Sequence, residues 1–171
     1  MQGKKRREEI LDTLANSAVP ISATALANNF GVSRQVIVQD VALLRAYNKN
    51  ILSTNRGYVL HGIREGACRR VFPVRHSDED IKPELYLIVD AGAKVLNVII
   101  EHEIYGQISA DLFLRSRLEV DEFCTKLATQ RARPLKLLTY DVHYHMVEAD
   151  SEDILDMVEK SLSENGYLIS E

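Results

Sequence analysis

The chain has 171 residues, 46% of them apolar, and is therefore long enough for two small domains that each bury a core. Its formal net charge of −4 argues, taken alone, against nucleic acid as a partner. No apolar run approaches the ~20 residues that a membrane span needs, and Lys4–Arg7 is followed by Glu8 and Glu9 instead of the apolar stretch of a signal peptide.

The first third of the chain predicts three helices and a β-hairpin. Lys4–Ser17 has the apolar spacing of a helix, and residues 21–47 predict two more helices that meet at a turn on Gly31. Ser33 is placed to cap the later helix, and two short apolar runs around Asn55–Gly57 predict the hairpin. The later helix is expected to bury Ile37, Val41 and Leu44. This order of elements is that of a winged helix-turn-helix.

The helix after Gly31 leaves polar side chains outside its predicted core face. Arginine and glutamine at the start of a helix can pair with guanine and adenine edges in the major groove, and a cation at a hairpin tip can contact phosphate. The predicted DNA-contacting residues are Arg34, Gln35, Gln39 and, at the hairpin tip, Arg56. Charge distribution agrees, since residues 1–60 hold eight basic and four acidic residues while residues 61–171 hold 13 and 21. An ordinary αα-hairpin in a globular core is the alternative.

The segment GVSRQVIVQDVALLR, which begins at Gly31, resembles the pattern of small bacterial winged-helix regulators. Val36 replaces the usual threonine of that pattern and Gln39 replaces the usual arginine. The resemblance implies a winged helix-turn-helix DNA-binding domain over residues 1–62. Two glycines and mixed charge in His61–Gly66 predict a short linker to the next domain.

The second half alternates strands and helices, which predicts an α+β fold with helices packed on one sheet. Pro73 suggests an edge position for the first strand. The predicted helix Arg117–Gln130 is expected to turn Leu118, Phe123 and Leu127 inward. The predicted strands are 69–75, 95–101, 107–112, 141–148 and 167–170, and the predicted helices are 77–91, 117–130 and 151–165, the last capped by Ser151. Cys68 and Cys124 lie outside any C-x-x-C pattern and are expected to be reduced thiols in a cytoplasmic protein.

Histidines carry the candidate chemistry of this half. His143 and His145 lie two apart on a predicted strand, so both point to one face, as metal-binding imidazoles often do. His76 stands at the start of the predicted helix and Glu84 two turns into it. Three imidazoles and one carboxylate suit nickel, zinc or another first-row transition ion better than magnesium or calcium. The alternative is a hydrogen-bonded or exposed histidine pair and a solvated glutamate.

The second half also resembles the bacterial 3H domain, over about residues 67–171. The segments RHSDEDIKPEL, VLNVIIEHEIYGQI and LTYDVHYHMVEA match its three histidine motifs, although Glu103 stands where the second motif commonly has proline. The resemblance implies one divalent transition metal, and it implies the fold class: an N-terminal winged helix-turn-helix followed by an α/β sandwich 3H domain. The metal ligands that it implies are His76, Glu84, His143 and His145. It leaves His102 and Tyr105 for effector binding, with a backbone-bonded His102 as the alternative.

A winged helix joined to a 3H domain resembles the niacin-responsive transcriptional repressors. That resemblance implies a homodimer that binds double-stranded operator DNA, senses nicotinate and represses genes for niacin uptake and NAD biosynthesis. A metal-responsive repressor with no organic effector is the alternative. An enzyme is not expected, because the chain has no H-E-x-x-H, G-x-S-x-G or P-loop motif.

Overall fold

The computed structural model describes residues 3–47, 50–62 and 64–170. Lys49, counted among the basic residues of the first domain, and Ile63 of the predicted linker lie outside these ranges. The chain divides into two units, Met1–Ile63 and Arg64–Glu171. Among the described residues, no helix combines the length and the hydropathy needed to cross a bilayer.

The first unit is a winged helix-turn-helix. Its elements are α1 (Gly3–Ala15), α2 (Ala23–Phe30), α3 (Arg34–Tyr47), β1 (Ile51–Thr54) and β2 (Gly57–Leu60). Ser22 caps α2 by accepting from the Ala25 N–H at 3.1 Å, and Gly31 ends that helix with a φ of 62°. Ser33 caps α3 as expected, accepting from the Val36 N–H at 3.3 Å. The core of this unit includes Ile10, Leu14, Leu26, Ile37, Val41 and Ile51, all buried.

The hairpin of β1 and β2 is joined to the start of α2. Ile21 and Tyr58 exchange two backbone hydrogen bonds, of 2.8 and 2.9 Å. The chain can approach this closely because Gly57, with a φ of 134°, has no side chain; a Cβ there would lie 2.3 Å from the Ile21 carbonyl oxygen. The position of the hairpin relative to the helices is therefore fixed by backbone contacts.

A buried ion pair joins α1 to α3. The carboxylate of Asp40 accepts from Arg6 at 2.6 Å and from Arg7 at 3.1 Å, and its side chain is only 5% exposed. Arg6 and Arg7 of the basic segment Lys4–Arg7 therefore hold α3 against α1.

The second unit is an antiparallel four-stranded sheet with helices on one face. Its elements are β3 (Cys68–Arg75), α4 (Ile81–Asp90), β4 (Lys94–His102), β5 (Gly106–Leu114), α5 (Arg117–Thr129), β6 (Val142–Ala149) and α6 (Glu152–Glu164), with 3₁₀ turns at Asp78–Asp80 and Leu135–Thr139. The strand order is β3-β6-β4-β5, so β3 lies at an edge as Pro73 suggests. The core between sheet and helices includes Phe72, Val74, Leu85, Val120, Val147 and Leu155.

Three expectations about this unit were wrong. Leu118 is 67% exposed, because the inward face of α5 holds Val120, Phe123 and Leu127 at spacings of three and four. Ser151 precedes α6 but makes no side-chain capping bond. The segment after α6 forms only one bridge, between Leu168 and Val74. Pairing stops there because Pro73 accepts from the Ile169 N–H but has no N–H to donate.

Candidate functional site

Three histidines enter the core of the second unit, each with its Nδ1 toward the backbone and its Nε2 toward the centre of the cluster. His143 and His145 lie on the inner face of β6, opposite Val74 and Phe72 of β3. Each Nδ1 meets a backbone carbonyl oxygen: His76 that of Ser77 at 2.8 Å, His143 that of Asp141 at 2.8 Å, and His145 that of Asn97 at 2.7 Å. Because a carbonyl oxygen only accepts, every Nδ1 donates a proton, and every Nε2 is left for the centre of the cluster.

The three Nε2 atoms converge on one buried carboxylate. Glu84 of α4 has a side chain 1% exposed, with its Oε2 at 2.9 Å from His76 Nε2 and at 3.9 Å from His143 Nε2. Its Oε1 lies 3.4 Å from His145 Nε2 but has no hydrogen-bond partner among the described atoms. Buried acceptors are nearly always satisfied. A cation shared by the carboxylate and the imidazoles would satisfy this oxygen, so the residues present fit a metal.

Electrostatics favour an ionised Glu84. Burial alone would raise the pKa of Glu84, but the charge of His145 and hydrogen bonds from the imidazoles hold it well below its usual range. Burial lowers the pKa of His143. Burial also opposes protonation of His76 and His145, but the Glu84 carboxylate raises the pKa of both imidazoles above the usual value. The carboxylate is therefore paired with imidazoles that favour their protonated form, and a metal that binds here would displace those protons. Donor atoms of His76, Glu84 and His143 all lie within 4.8 Å of one another.

A buried lysine holds two of the histidines in place. Lys136, from the turn that follows Pro134, has a side chain 3% exposed. Its Nζ donates to the His76 carbonyl oxygen at 3.0 Å and contacts carboxylate oxygens of Asp78 at 2.6 Å and Asp141 at 2.5 Å. Asp141 is the residue whose carbonyl oxygen orients His143. The ammonium group thus links the two backbone segments that position the imidazoles of His76 and His143.

A cavity of about 180 Å³ adjoins this cluster. The imidazoles of His76, His143 and His145 and the carboxylate of Glu84 form its polar side. Most of the remaining wall is apolar, and includes Val98, Leu112, Phe123 and Leu127. Arg133 and Lys136 are the cations that line it. The arrangement suits a small, flat, largely apolar molecule that carries polar groups.

The recognition helix of the first unit presents the polar residues singled out from the sequence. Arg34, Gln35 and Gln39 are exposed on α3, and Arg56 lies in the two-residue turn between β1 and β2. Val38, on the same turns of α3, is half-buried and packs against the core of the unit. The exposed surface of the first two turns of α3 is therefore polar, as base-edge contacts in the major groove require.

Comparison with known proteins agrees with both halves of this description. A family model described as an HTH domain matches residues 6–59, and one described as a 3H domain matches residues 69–171. The chain is 39% identical to a protein of Thermotoga maritima named as the probable transcription repressor NiaR, over 98% of this chain and 95% of that one. It belongs to the 3H-domain family of transcription repressors. A second relative, 37% identical over 100% of this chain and 97% of its own, is the transcription repressor NadR of Bacillus subtilis.

This 3H-domain chain is therefore a DNA-binding regulator and not an enzyme. The structure brings together all four residues predicted as metal ligands: His76, Glu84, His143 and His145. This cluster lies within the residues matched by the 3H model and forms a candidate metal site.

The two residues predicted to bind an effector lie elsewhere in the 3H domain. His102 and Tyr105 stand at the turn between β4 and β5, and neither lines the cavity. The Nδ1 of His102 accepts from the backbone N–H groups of Ile104 and Tyr105 at 3.2 and 3.3 Å, which is the backbone-bonded alternative, and Tyr105 is 77% exposed. Their part in effector binding stays a prediction.

The sequence did not identify Lys136 and Arg133 as residues of the site. Neither belongs to a motif, and the segment between α5 and β6 has no periodic pattern that would place a side chain inward. Lysine is almost never fully buried, so an isolated lysine in a loop predicts a surface residue. Only the meeting of the loop with His76, 60 residues earlier, gives Lys136 its position.

Proposed function

We propose that the 3H domain of this repressor holds one divalent transition metal per chain through His76, Glu84, His143 and His145. One observation carries the proposal: the buried Oε1 of Glu84 lacks a hydrogen-bond partner among the described atoms, while three imidazoles of fixed tautomer surround its carboxylate. A bound cation would give this oxygen a partner beside the three imidazoles.

Nickel or zinc is the metal that this donor set favours. Three nitrogen donors and one carboxylate are typical of first-row transition ions, whereas magnesium and calcium take mostly oxygen. The side of the cluster that faces the cavity is open to a small molecule. A metal held by His76, Glu84, His143 and His145 would supply a Lewis acid for an anion or a ring nitrogen.

Nicotinate is the effector proposed for the cavity. Its flat ring fits apolar walls such as Val98, Leu112 and Phe123, and its ring nitrogen and carboxylate match the polar side of the cavity and its cations. The resemblance to niacin-responsive repressors implies nicotinate, and the size and lining of the cavity support this proposal. The proposal assigns no contact to His102 or Tyr105.

The proposed regulation requires a homodimer that places two α3 helices on a palindromic operator of niacin-uptake or NAD-biosynthesis genes. Arg34, Gln35 and Gln39 would contact base edges and Arg56 would contact phosphate. Nicotinate increases operator occupancy only if it binds the DNA-competent dimer more tightly than the other form. The site of action is then the cytoplasm, where the operator lies.

Gel-shift titration of full-length protein on its operator tests this function. We expect nicotinate to tighten operator binding severalfold when the protein is loaded with nickel or zinc, and nicotinamide to do so far less. Elemental analysis of protein purified without an affinity tag or chelator should find close to one equivalent of transition metal per chain.

The same titration distinguishes the nicotinate-sensing function from the alternative, a repressor that responds to metal alone. A metal-responsive repressor would bind its operator more tightly on metal addition and be indifferent to nicotinate. Operator affinity that changes with neither metal nor nicotinate would refute both functions.

A further inference from the structure

The charged residues around the cavity differ in whether they already have partners. Glu84 and the imidazoles face one another, and Lys136 is held by Asp78 and Asp141. Arg133 also lines the cavity, but across residues 3–47, 50–62 and 64–170 nothing forms a hydrogen bond or ion pair with its guanidinium. It is therefore the lining cation whose charge is still available to a ligand.

The backbone on both sides of Arg133 is anchored. The Ala132 N–H donates to the Leu127 carbonyl oxygen at 3.1 Å, which ties the residue before it to α5. Pro134 follows with a restricted φ of −57°, and its carbonyl oxygen accepts from the Leu137 N–H at 3.2 Å. Two residues further on, Lys136 is fixed in the interior. Arg133 thus lines the cavity from a fixed backbone, although its side chain is exposed.

We propose that Arg133 is the residue that selects a carboxylate ligand in this cavity. The inference rests on the proposed function and names the group that makes the site specific for an anion. A guanidinium forms two parallel charge-assisted hydrogen bonds with a carboxylate, and its planar fork fits that group better than an ammonium does. A carboxamide carries no charge and turns an N–H group toward one side of the same fork, so the neutral amide loses most of this interaction.

Calorimetric titration of metal-loaded full-length protein with nicotinate and with nicotinamide tests the inference. Arg133→Met is the test variant, because the side chain keeps its apolar length and loses its charge. Arg131→Met is the matched control, since Arg131 is exposed in the same loop and does not line the cavity. Arg133→Lys keeps the charge and removes the fork. Metal content and melting temperature are measured for each variant.

We expect Arg133→Met to weaken nicotinate binding about 10- to 100-fold, the range for a charge-assisted hydrogen bond. Nicotinamide binding, metal content and melting temperature should be unchanged. Arg133→Lys should recover part of the affinity, and Arg131→Met should bind nicotinate as the unaltered protein does.

Other outcomes would overturn the inference in distinguishable ways. Nicotinate affinity within about twofold of normal in Arg133→Met would refute the role of Arg133 and leave the proposed function intact. An equal loss in Arg131→Met would mean a general effect of charge, and a loss of metal in Arg133→Met would mean an effect through the fold. If the unaltered protein binds no nicotinate, the proposed effector fails and the inference fails with it.

Discussion

Replacing Lys136 with methionine removes the group that joins the backbone of two candidate metal ligands. In the native protein, Nζ donates to the His76 carbonyl oxygen at 3.0 Å and contacts Asp141, whose own carbonyl oxygen orients His143. Methionine has nearly the same length and no donor. The variant therefore keeps the packing of the aliphatic side chain but leaves the His76 carbonyl oxygen without this partner.

The size of the effect on stability follows from the exposure of each partner. Loss of the donor to a buried carbonyl oxygen costs about 1–3 kcal/mol. The carboxylates of Asp78 and Asp141 are 53% and 37% exposed, so water replaces the ammonium and each lost ion pair contributes only about 0–1 kcal/mol. Removing the ammonium group also removes the cost of burying its charge, which partly offsets these losses. We expect the metal-free variant to lose about 1–3 kcal/mol of unfolding free energy.

The effect on metal affinity is the more specific test. Groups that orient metal ligands typically contribute 10- to 100-fold in metal affinity. We expect a loss of this size in Lys136→Met, measured by competition with a chromophoric chelator, and a shift of the cobalt(II) absorption bands. Lys82→Met is the control, because it removes an ion pair of the surface. The side chains of Lys82 and Asp121 are 48% and 44% exposed, and neither residue lines the cavity. If Lys136→Met is destabilised but keeps normal metal affinity and an unshifted cobalt(II) spectrum, Lys136 has only a structural role.

The remaining predictions concern the winged helix-turn-helix. Gly57→Ala should lower the urea midpoint of the first unit and weaken DNA binding, since its Cβ would lie 2.3 Å from a backbone oxygen. Asp40→Ala should destabilise that unit by about 3–5 kcal/mol, because two arginines lose a buried partner; a change below about 1 kcal/mol would mean that they are solvated. Arg34→Ala should reduce discrimination between operator and random DNA by about 1–3 kcal/mol. Arg56→Ala should weaken binding to every sequence and reduce the salt slope by about one.

The predictable parts of the structure are those with a period or a local signal. Strand alternation places His143 and His145 on one face, and β6 confirms it. A serine after Gly31 predicts the start of α3, and the capping bond is present. The prediction for Leu118 was wrong because of its spacing from Phe123. An α-helix turns about 100° per residue, so a residue five positions before Phe123 points about 140° away from the inward face.

Other features depend on contacts between distant parts of the chain. The tautomer of His145 depends on the Asn97 carbonyl oxygen of β4, 48 residues away in sequence. No pattern predicts which backbone oxygen will meet an imidazole across a sheet. The same holds for the β-bulge between β4 and β5, where Phe113 adopts a φ of 53°, because bulges depend on strand pairing.

The construction of the cluster links its assembly to the folding of the second unit. The three carbonyl oxygens that orient the imidazoles come from Ser77, ahead of the 3₁₀ turn that leads into α4, from β4 and from the turn before β6. All three segments must be in place before the Nε2 atoms converge on Glu84, so an unfolded chain has no such site. A metal that binds this arrangement therefore stabilises the unit by mass action, and the gain grows with the logarithm of free metal concentration. If the proposed effector binds at the same cluster, its binding also requires the folded arrangement, so it would add to that gain.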